Sequence, residues 1–262
     1  MARIVLALGL ILWATVVSAQ SVTAVLEPLR AVELRSTVNG RVTELVDVEG
    51  SRVSEGDVVA EIDASVQRAR VSLAKVTAES EGTVARAREL LAQATFRQSR
   101  VVAAREKGAA QLWEVELADQ AVAVAKADVI VAEDEQRRRV AELGLEQATL
   151  AEFTIRAPFD GTVMSVSVDP GEIVDTATVL VKIGSLDLLV ATAFVPVDWA
   201  NAFEGMTSLP VILEDGRQLE ANVRALAPEI DPASRTVRLL VEVANTDGAL
   251  RPGEIVEIAD PR

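Results

Sequence analysis

Residues 38–62 read VNGRVTELVDVEGSRVSEGDVVAEI, and residues 159–183 read FDGTVMSVSVDPGEIVDTATVLVKI. A shift of 121 positions lays one on the other without a gap. Gly40 meets Gly161, Val42 meets Val163, Gly50 meets Gly171, and Ile62 meets Ile183. Two copies are too few for a solenoid, so the repeat predicts one pseudo-symmetric domain built from two halves. In each half, Val, Thr and Ile alternate with polar residues, the pattern of short half-buried strands. Gly50 follows Glu49 and Gly171 follows Pro170. These two, with Gly40 and Gly161, are read as turn glycines that shape the halves. Halves that fold alike must meet in space. The roughly 95 residues between them therefore leave and return to one point.

The inserted stretch changes period. From Leu73, steps of three and four reach Val76, Ser80, Thr83, Ala87, Leu90, Ala94, Arg97 and Val101. Gly108 interrupts, and a second seam runs through Val115, Ala118, Val122, Ala125, Val129 and Ala132 towards Leu143 and Leu150. Such spacing predicts a coiled coil, and the short break predicts an antiparallel hairpin. About 40 residues per arm at about 1.5 Å each give a rod on the order of 60 Å. A rod of that length is not needed to fold the compact parts. Its use is reach towards a partner, or packing against copies of itself.

Beyond the second half-repeat the chain reads as strands again: Leu188–Val195, Leu209–Leu213, Leu219–Ala227, Thr236–Ala244 and Glu254–Ile258. A short helix is expected over Pro196–Phe203, and turns at Asp215-Gly216, Asp231-Pro232 and Asp247-Gly248. This spacing predicts a small antiparallel barrel, with residues 20–37 contributing.

Composition narrows the chemistry. The chain has 262 residues, no Cys, no His and three Met. Disulfides, thiol catalysis, His/Cys zinc sites and Ser-His-Asp triads are excluded, and a methionine-rich metal site is disfavoured. A net charge of −14 argues against nucleic-acid binding. Arg3, an apolar run over Ile4–Val17 and the small residues Ser18-Ala19 form a secretory signal peptide, 1–19, with cleavage expected after Ala19. Nothing places two carboxylates together for acid–base work, so no enzyme activity and no cofactor are expected.

Two segments carry a family resemblance. TIRAPFDGTV at 154–163 resembles the return into the second half of a lipoyl-like domain, and RTVRLLVEVANTDGALRPGEIVEI at 235–258 is similar to the end of a barrel domain. Both belong to periplasmic adaptors, the HlyD-like membrane fusion proteins that include the adaptors of resistance-nodulation-division (RND) efflux pumps. The resemblance implies a mixed β and α fold: a lipoyl-like (barrel-sandwich hybrid) domain split by a long antiparallel coiled-coil hairpin, then a small antiparallel β-barrel. The domains would be the N-terminal strands 20–37, half-motif 38–63, hairpin 64–153, half-motif 154–184 and barrel 185–262. A membrane-proximal domain, which many such adaptors build from both chain ends, is read as absent.

The resemblance also implies partners and sites. The partners would be an inner-membrane RND transporter, a TolC-like outer-membrane channel, and further copies in a ring, often hexameric. Channel-contacting tips of the family often show Arg, Leu and Ser at spacings of four and seven. Here those positions hold Arg100, Ala104 and Gln111, so only the Arg is kept. Trp113 beside the turn is an anchor or, the preferred reading, packing over the hairpin end. The barrel loop Asp231–Arg235 would face the transporter or a neighbouring copy. An adaptor of an ABC-type exporter is the alternative. A lipoyl or biotinyl carrier is the more distant one, because none of Lys75, Lys107, Lys126 and Lys182 sits in the turn a carrier needs.

Overall fold

The computed structural model describes residues 21–46 and 48–260. The expected signal peptide lies outside them. Among the described residues, no helix is long and apolar enough to cross a membrane.

The repeat is larger than its quoted length. The first half comprises β2 (Ala31–Arg35), β3 (Gly40–Leu45), β4 (Arg52–Val53) and β5 (Val58–Ile62). The second comprises β6 (Thr154–Arg156), β7 (Gly161–Val166), β8 (Ile173–Val174) and β9 (Val179–Gly184). They form two four-stranded sheets, ordered β2-β9-β7-β4 and β6-β5-β3-β8. Each sheet takes strands from both halves. The shift of 121 also pairs Leu34 with Ile155 and Arg35 with Arg156. Arg35 donates to Ala177 O at 2.7 Å, and Arg156 donates to Gly56 O at 2.8 Å. This corrects the assignment of all of 20–37 to the barrel: β2 is a strand of the repeat.

The glycines divide by role. Gly50 and Gly171 have φ of 84° and 95°, the left-handed region that a turn demands and that side chains resist. Gly40 and Gly161 are not turn glycines, as expected from sequence, but the first residues of β3 and β7. A Cβ at Gly40 would lie 2.5 Å from Ile62 Cγ2, and one at Gly161 would lie 2.8 Å from Ile183 Cγ2. They let a strand start against a buried isoleucine.

The hairpin has three helices. α1 (Ser65–Ala78) and α2 (Gly82–Glu106) form the first arm, and α3 (Leu112–Ala151) forms the second in one piece. On α3 the inward positions follow the expected seam and continue through Gln136, Arg139, Leu143, Glu146 and Leu150. On the first arm the expected phase is wrong over α1, while on α2 Ala87, Ala94 and Val101 face inward as expected and Thr83, Leu90 and Arg97 do not. Leu73 and Val76 are 70% and 67% exposed, and Leu90 is also exposed. The inward positions are Gln67, Val71, Ala74 and Ala78 on α1, then Val84, Ala87, Leu91, Ala94, Gln98 and Val101 on α2. Gln67 hides the seam because it is polar. It is buried because its amide donates to Glu146 O at 3.0 Å and to the Glu146 carboxylate at 2.7 Å.

The break between α1 and α2 has a register cause. The seam advances by alternating fours and threes on both helices, but only six residues separate Ala78 from Val84, where a heptad needs seven. One residue is missing. Residues 79–81 leave the helix, and α2 restarts in phase with α3. The opened end of α1 is satisfied from the second arm, because the Gln136 amide donates to Ala78 O.

The other unit holds a closed six-stranded barrel. Its strands are β1 (Ser21–Pro28), β10 (Leu188–Pro196), β11 (Ser208–Leu213), β12 (Gln218–Asp231), β13 (Thr236–Ala244) and β14 (Ile255–Ala259), ordered β1-β10-β13-β12-β11-β14. β1 pairs with β14, so segments from the two ends of the described chain close it. Alternation puts Leu189, Ala191, Ala193 and Val195 inside. Helix α4 (Val197–Phe203) adds Trp199 and Phe203 to the same core. Asn245 is buried yet fully used: its side chain donates to Leu186 O and Leu250 O and accepts from Leu250 N–H at 2.8 Å.

Two predictions follow from this packing. Gly40→Ala and Gly161→Ala each force Ile62 or Ile183 aside and lower stability by about 1–3 kcal/mol in urea titrations. Gly161→Ala is the worse of the two, since its Cβ also meets Gly184 O at 3.0 Å. Inserting one Ala between Ser80 and Glu81 fills the vacant seam position and makes α1–α2 continuous. Amide exchange at 79–82 slows and the melting temperature rises. An insertion that leaves those amides unprotected refutes the register account.

Candidate functional site: the hairpin tip and a barrel loop

The tip is built by paired caps. Gly108, at φ 74°, ends α2: its N–H donates to Arg105 O and the Ala109 N–H to Ala104 O, both at 2.8 Å. This is a Schellman closure, which uses a glycine to satisfy the last carbonyls of a helix. Gln111 is the residue before α3, and its N–H donates to the Glu114 carboxylate at 2.6 Å. Helix end, turn and helix start are thus fixed within a few residues.

The predicted tip residues sit differently from one another. Arg100 is exposed on α2 and has no ionic partner among the described residues. Ala104 is half-buried, Gln111 lies exposed in the turn, and Trp113 is in the first turn of α3. Trp113 does not pack over the hairpin end, contrary to the preferred sequence reading. It is 62% exposed because the seam at this level is taken by Val115 and Ala118. Leu112 and Leu117 are exposed beside it on α3, and Phe96 is exposed further down α2. Sequence reading passed over these three, although Leu112 and Leu117 lie off the second-arm seam and Phe96 off the first-arm one, and an apolar residue off the seam faces water. An apolar cluster at the end of a solvated rod marks a contact surface.

The second candidate is the loop between β12 and β13. The Asp231 carboxylate accepts from Ala233 N–H at 2.8 Å and Ser234 N–H at 3.2 Å. Its backbone carbonyl accepts from Arg235 N–H at 2.8 Å. The bonds from Ser234 and Ala233 hold the Asp231 carboxyl below its usual range. Asp231 is therefore a brace of the loop. Arg235 has φ of 57°, the one non-glycine residue in the left-handed region among those described. Its side chain is exposed and has no ionic partner among the described residues. Sequence reading missed Phe194, 57% exposed, which pairs across strands with Arg238 on the outer surface beside the loop. Its position between inward Ala193 and Val195 was the available signal.

No group of three acidic side chains among the described residues converges to hold a metal ion. What both places offer is surface for another macromolecule.

Comparison with known proteins agrees with this architecture. Residues 30–183 match the family model "RND MFP, barrel-sandwich hybrid domain", and residues 213–259 match "CusB-like, beta-barrel domain". The nodulation protein NolF of Rhizobium meliloti is 31% identical over 131 residues, 49% of this chain and 36% of NolF. The cation efflux system protein CusB of Escherichia coli K12 is 32% identical over 103 residues, 38% of this chain and 25% of CusB. The matched parts thus span about a third or less of these relatives. Among solved structures, MacA from Actinobacillus actinomycetemcomitans superposes with a TM-score of 0.77 at 20% identity, covering 92% of this chain and 78% of MacA. The membrane fusion protein Spr0693 from Streptococcus pneumoniae R6 gives 0.65 at 16% identity, covering 93% and 100%. These two likenesses concern the fold.

The Asp231 brace has a pH signature. Because its folded pKa is depressed, the brace is complete above the usual carboxylate range and is lost as pH falls through the depressed value. The amide NMR shifts of Ala233 and Ser234 should titrate at that low pH, and in Asp231→Asn they should stay flat. The family model covers more than half of the chain, across both halves of the repeat and the hairpin between them, and this chain belongs to the membrane fusion proteins of RND-type efflux systems.

Proposed function

We propose that this chain is the periplasmic adaptor subunit of a tripartite efflux system, linking an inner-membrane RND transporter to a TolC-like outer-membrane channel. The observation that carries the proposal is the pairing of family membership with a 40-residue helix that ends in exposed Trp113, Leu112 and Leu117. At about 1.5 Å per residue that helix reaches about 60 Å. Burying these three large apolar side chains at the tip is worth several kcal/mol, on the order of 1.5–3 each. In this reading the tip meets the channel and the loop Asp231–Arg235 meets the transporter or a neighbouring copy. Copies assemble as a ring, the chain works as a scaffold without catalysis, and it is exported by its leader. The RND reading is preferred to the ABC one because both matching family models are RND or CusB-like.

The native chain has no Cys, so single cysteines report cleanly. Gln111→Cys and Arg235→Cys, exported in the native host and cross-linked, should capture an outer-membrane channel and an RND transporter respectively. An ABC permease at Arg235 would transfer the protein to the other exporter class. Capture of nothing but further copies at both positions would refute bridging.

A further inference from the structure

The two arms of the hairpin carry opposite charge. Within their helical spans, α1 and α2 hold eight Lys/Arg against two Asp/Glu, while α3 holds nine Asp/Glu against four Lys/Arg. The ascending arm is net +6 and the descending arm net −5. Little of this is neutralised inside the hairpin. Among the described residues a single ion pair joins the arms, Arg88 with Glu133 at 2.7 Å. The three arginines of α3 are taken by its own acids: Arg137 pairs with Asp134, and Arg138 and Arg139 pair with Glu135. Arg86, Arg97 and Arg100 on α2 and Glu116 and Asp128 on α3 are exposed and have no ionic partner.

We infer that the hairpin's partner is a second copy of this chain, packed head to tail, with the basic arm of one copy against the acidic arm of the next. This deepens the ring proposed above and rests on that reading. The charges are complementary in sign, and one pair fits in height as well. The pairs Arg88–Glu133 and Gln98–Asp119 fix which levels of α2 and α3 face each other. At the same height on a neighbour, Glu116 comes level with Arg100, and Asp128 falls between Arg86 and Arg97. Like arms brought together would repel, so a two-fold pairing of identical arms is disfavoured. A heterologous contact of this kind propagates in one sense and makes a ring where its rotation closes. Net charge −14 makes random association of copies unfavourable, so the opposed arms also select orientation.

The test uses the mature full-length chain, native mass spectrometry and sedimentation equilibrium. Association should weaken about tenfold or more between about 50 and 500 mM salt, because these charges are exposed. The triple variant Arg86→Glu, Arg97→Glu, Arg100→Glu takes α1 and α2 together from net +6 to zero, and Glu116→Arg with Asp128→Arg takes α3 from net −5 to −1. Each variant alone should lose assembly while keeping wild-type circular dichroism. Mixed, the two should assemble again, as species with equal numbers of each. A wild type that assembles equally at high salt, or reversed variants that assemble alone, overturns the charge pairing and leaves the ring. A wild type that remains monomeric at low salt overturns the ring and the pairing together.

Discussion

The fold depends on an exchange of backbone hydrogen bonds between two half-motifs that are distant in sequence. The Gly50 N–H donates to Val163 O, and the Gly171 N–H donates to Val42 O, both at 2.8 Å. Val42 N–H in turn donates to Glu172 O, and Val163 N–H to Ser51 O, both at 2.9 Å. Each half lends its turn to the other half's strand, so neither satisfies its own backbone alone. The two halves therefore fold together or not at all. Whatever is inserted between them must close on itself, and an antiparallel hairpin does so at any length. At its base the Ile62 N–H donates to Phe153 O at 2.9 Å, just before the first arm starts and just after the second ends.

That closure explains the unequal arms. α3 keeps alternating threes and fours over its whole length, so it sets the register. The first arm must match it from both ends, since it is pinned below by β5 and above by the Schellman turn. With one residue fewer than a full heptad count, it gives way between α1 and α2, and Gln136 covers the exposed carbonyl. A polar position in the seam is therefore not a packing fault. Gln67 and Gln136 both lie where an aliphatic residue would pack, and both satisfy a backbone carbonyl of the opposite arm.

Legibility followed the strength of repetition. The repeat was legible because glycines and valines recur at fixed spacing, and the barrel because inward and outward residues alternate. The second arm was legible because its seam is Ala and Val. The phase of α1 was not, since Gln67 sits inside while Leu73 and Val76 face water, an inversion that no apolar period reveals; on α2 only Ala87, Ala94 and Val101 were placed rightly. β2 was missed because Glu33-Leu34-Arg35 resembles Thr154-Ile155-Arg156 weakly. The equivalence rests on one arginine that bonds the same turn carbonyl in each half. Of the candidate sites, the Asp231 loop was readable from turn chemistry, and Arg100 and Gln111 were singled out only through the family resemblance. The exposure of Trp113 was not, because it depends on which neighbours fill the seam.

Arg235 shows how the barrel loop is held. Asp231 accepts two backbone N–H groups with its side chain and a third with its carbonyl, so the loop has little freedom left. Its last residue must then take a positive φ, which a glycine would adopt without strain. An arginine there carries a backbone penalty on the order of 1 kcal/mol. The Arg235 carbonyl accepts from Val197 N–H at 3.2 Å, a bond that glycine would make equally well. Among the described residues the side chain returns no ion pair to offset the strain. It projects from a rigid support beside exposed Phe194 and Arg238. In the adaptor proposed above, a cation fixed in this way would bind a partner with less loss of entropy than a mobile one.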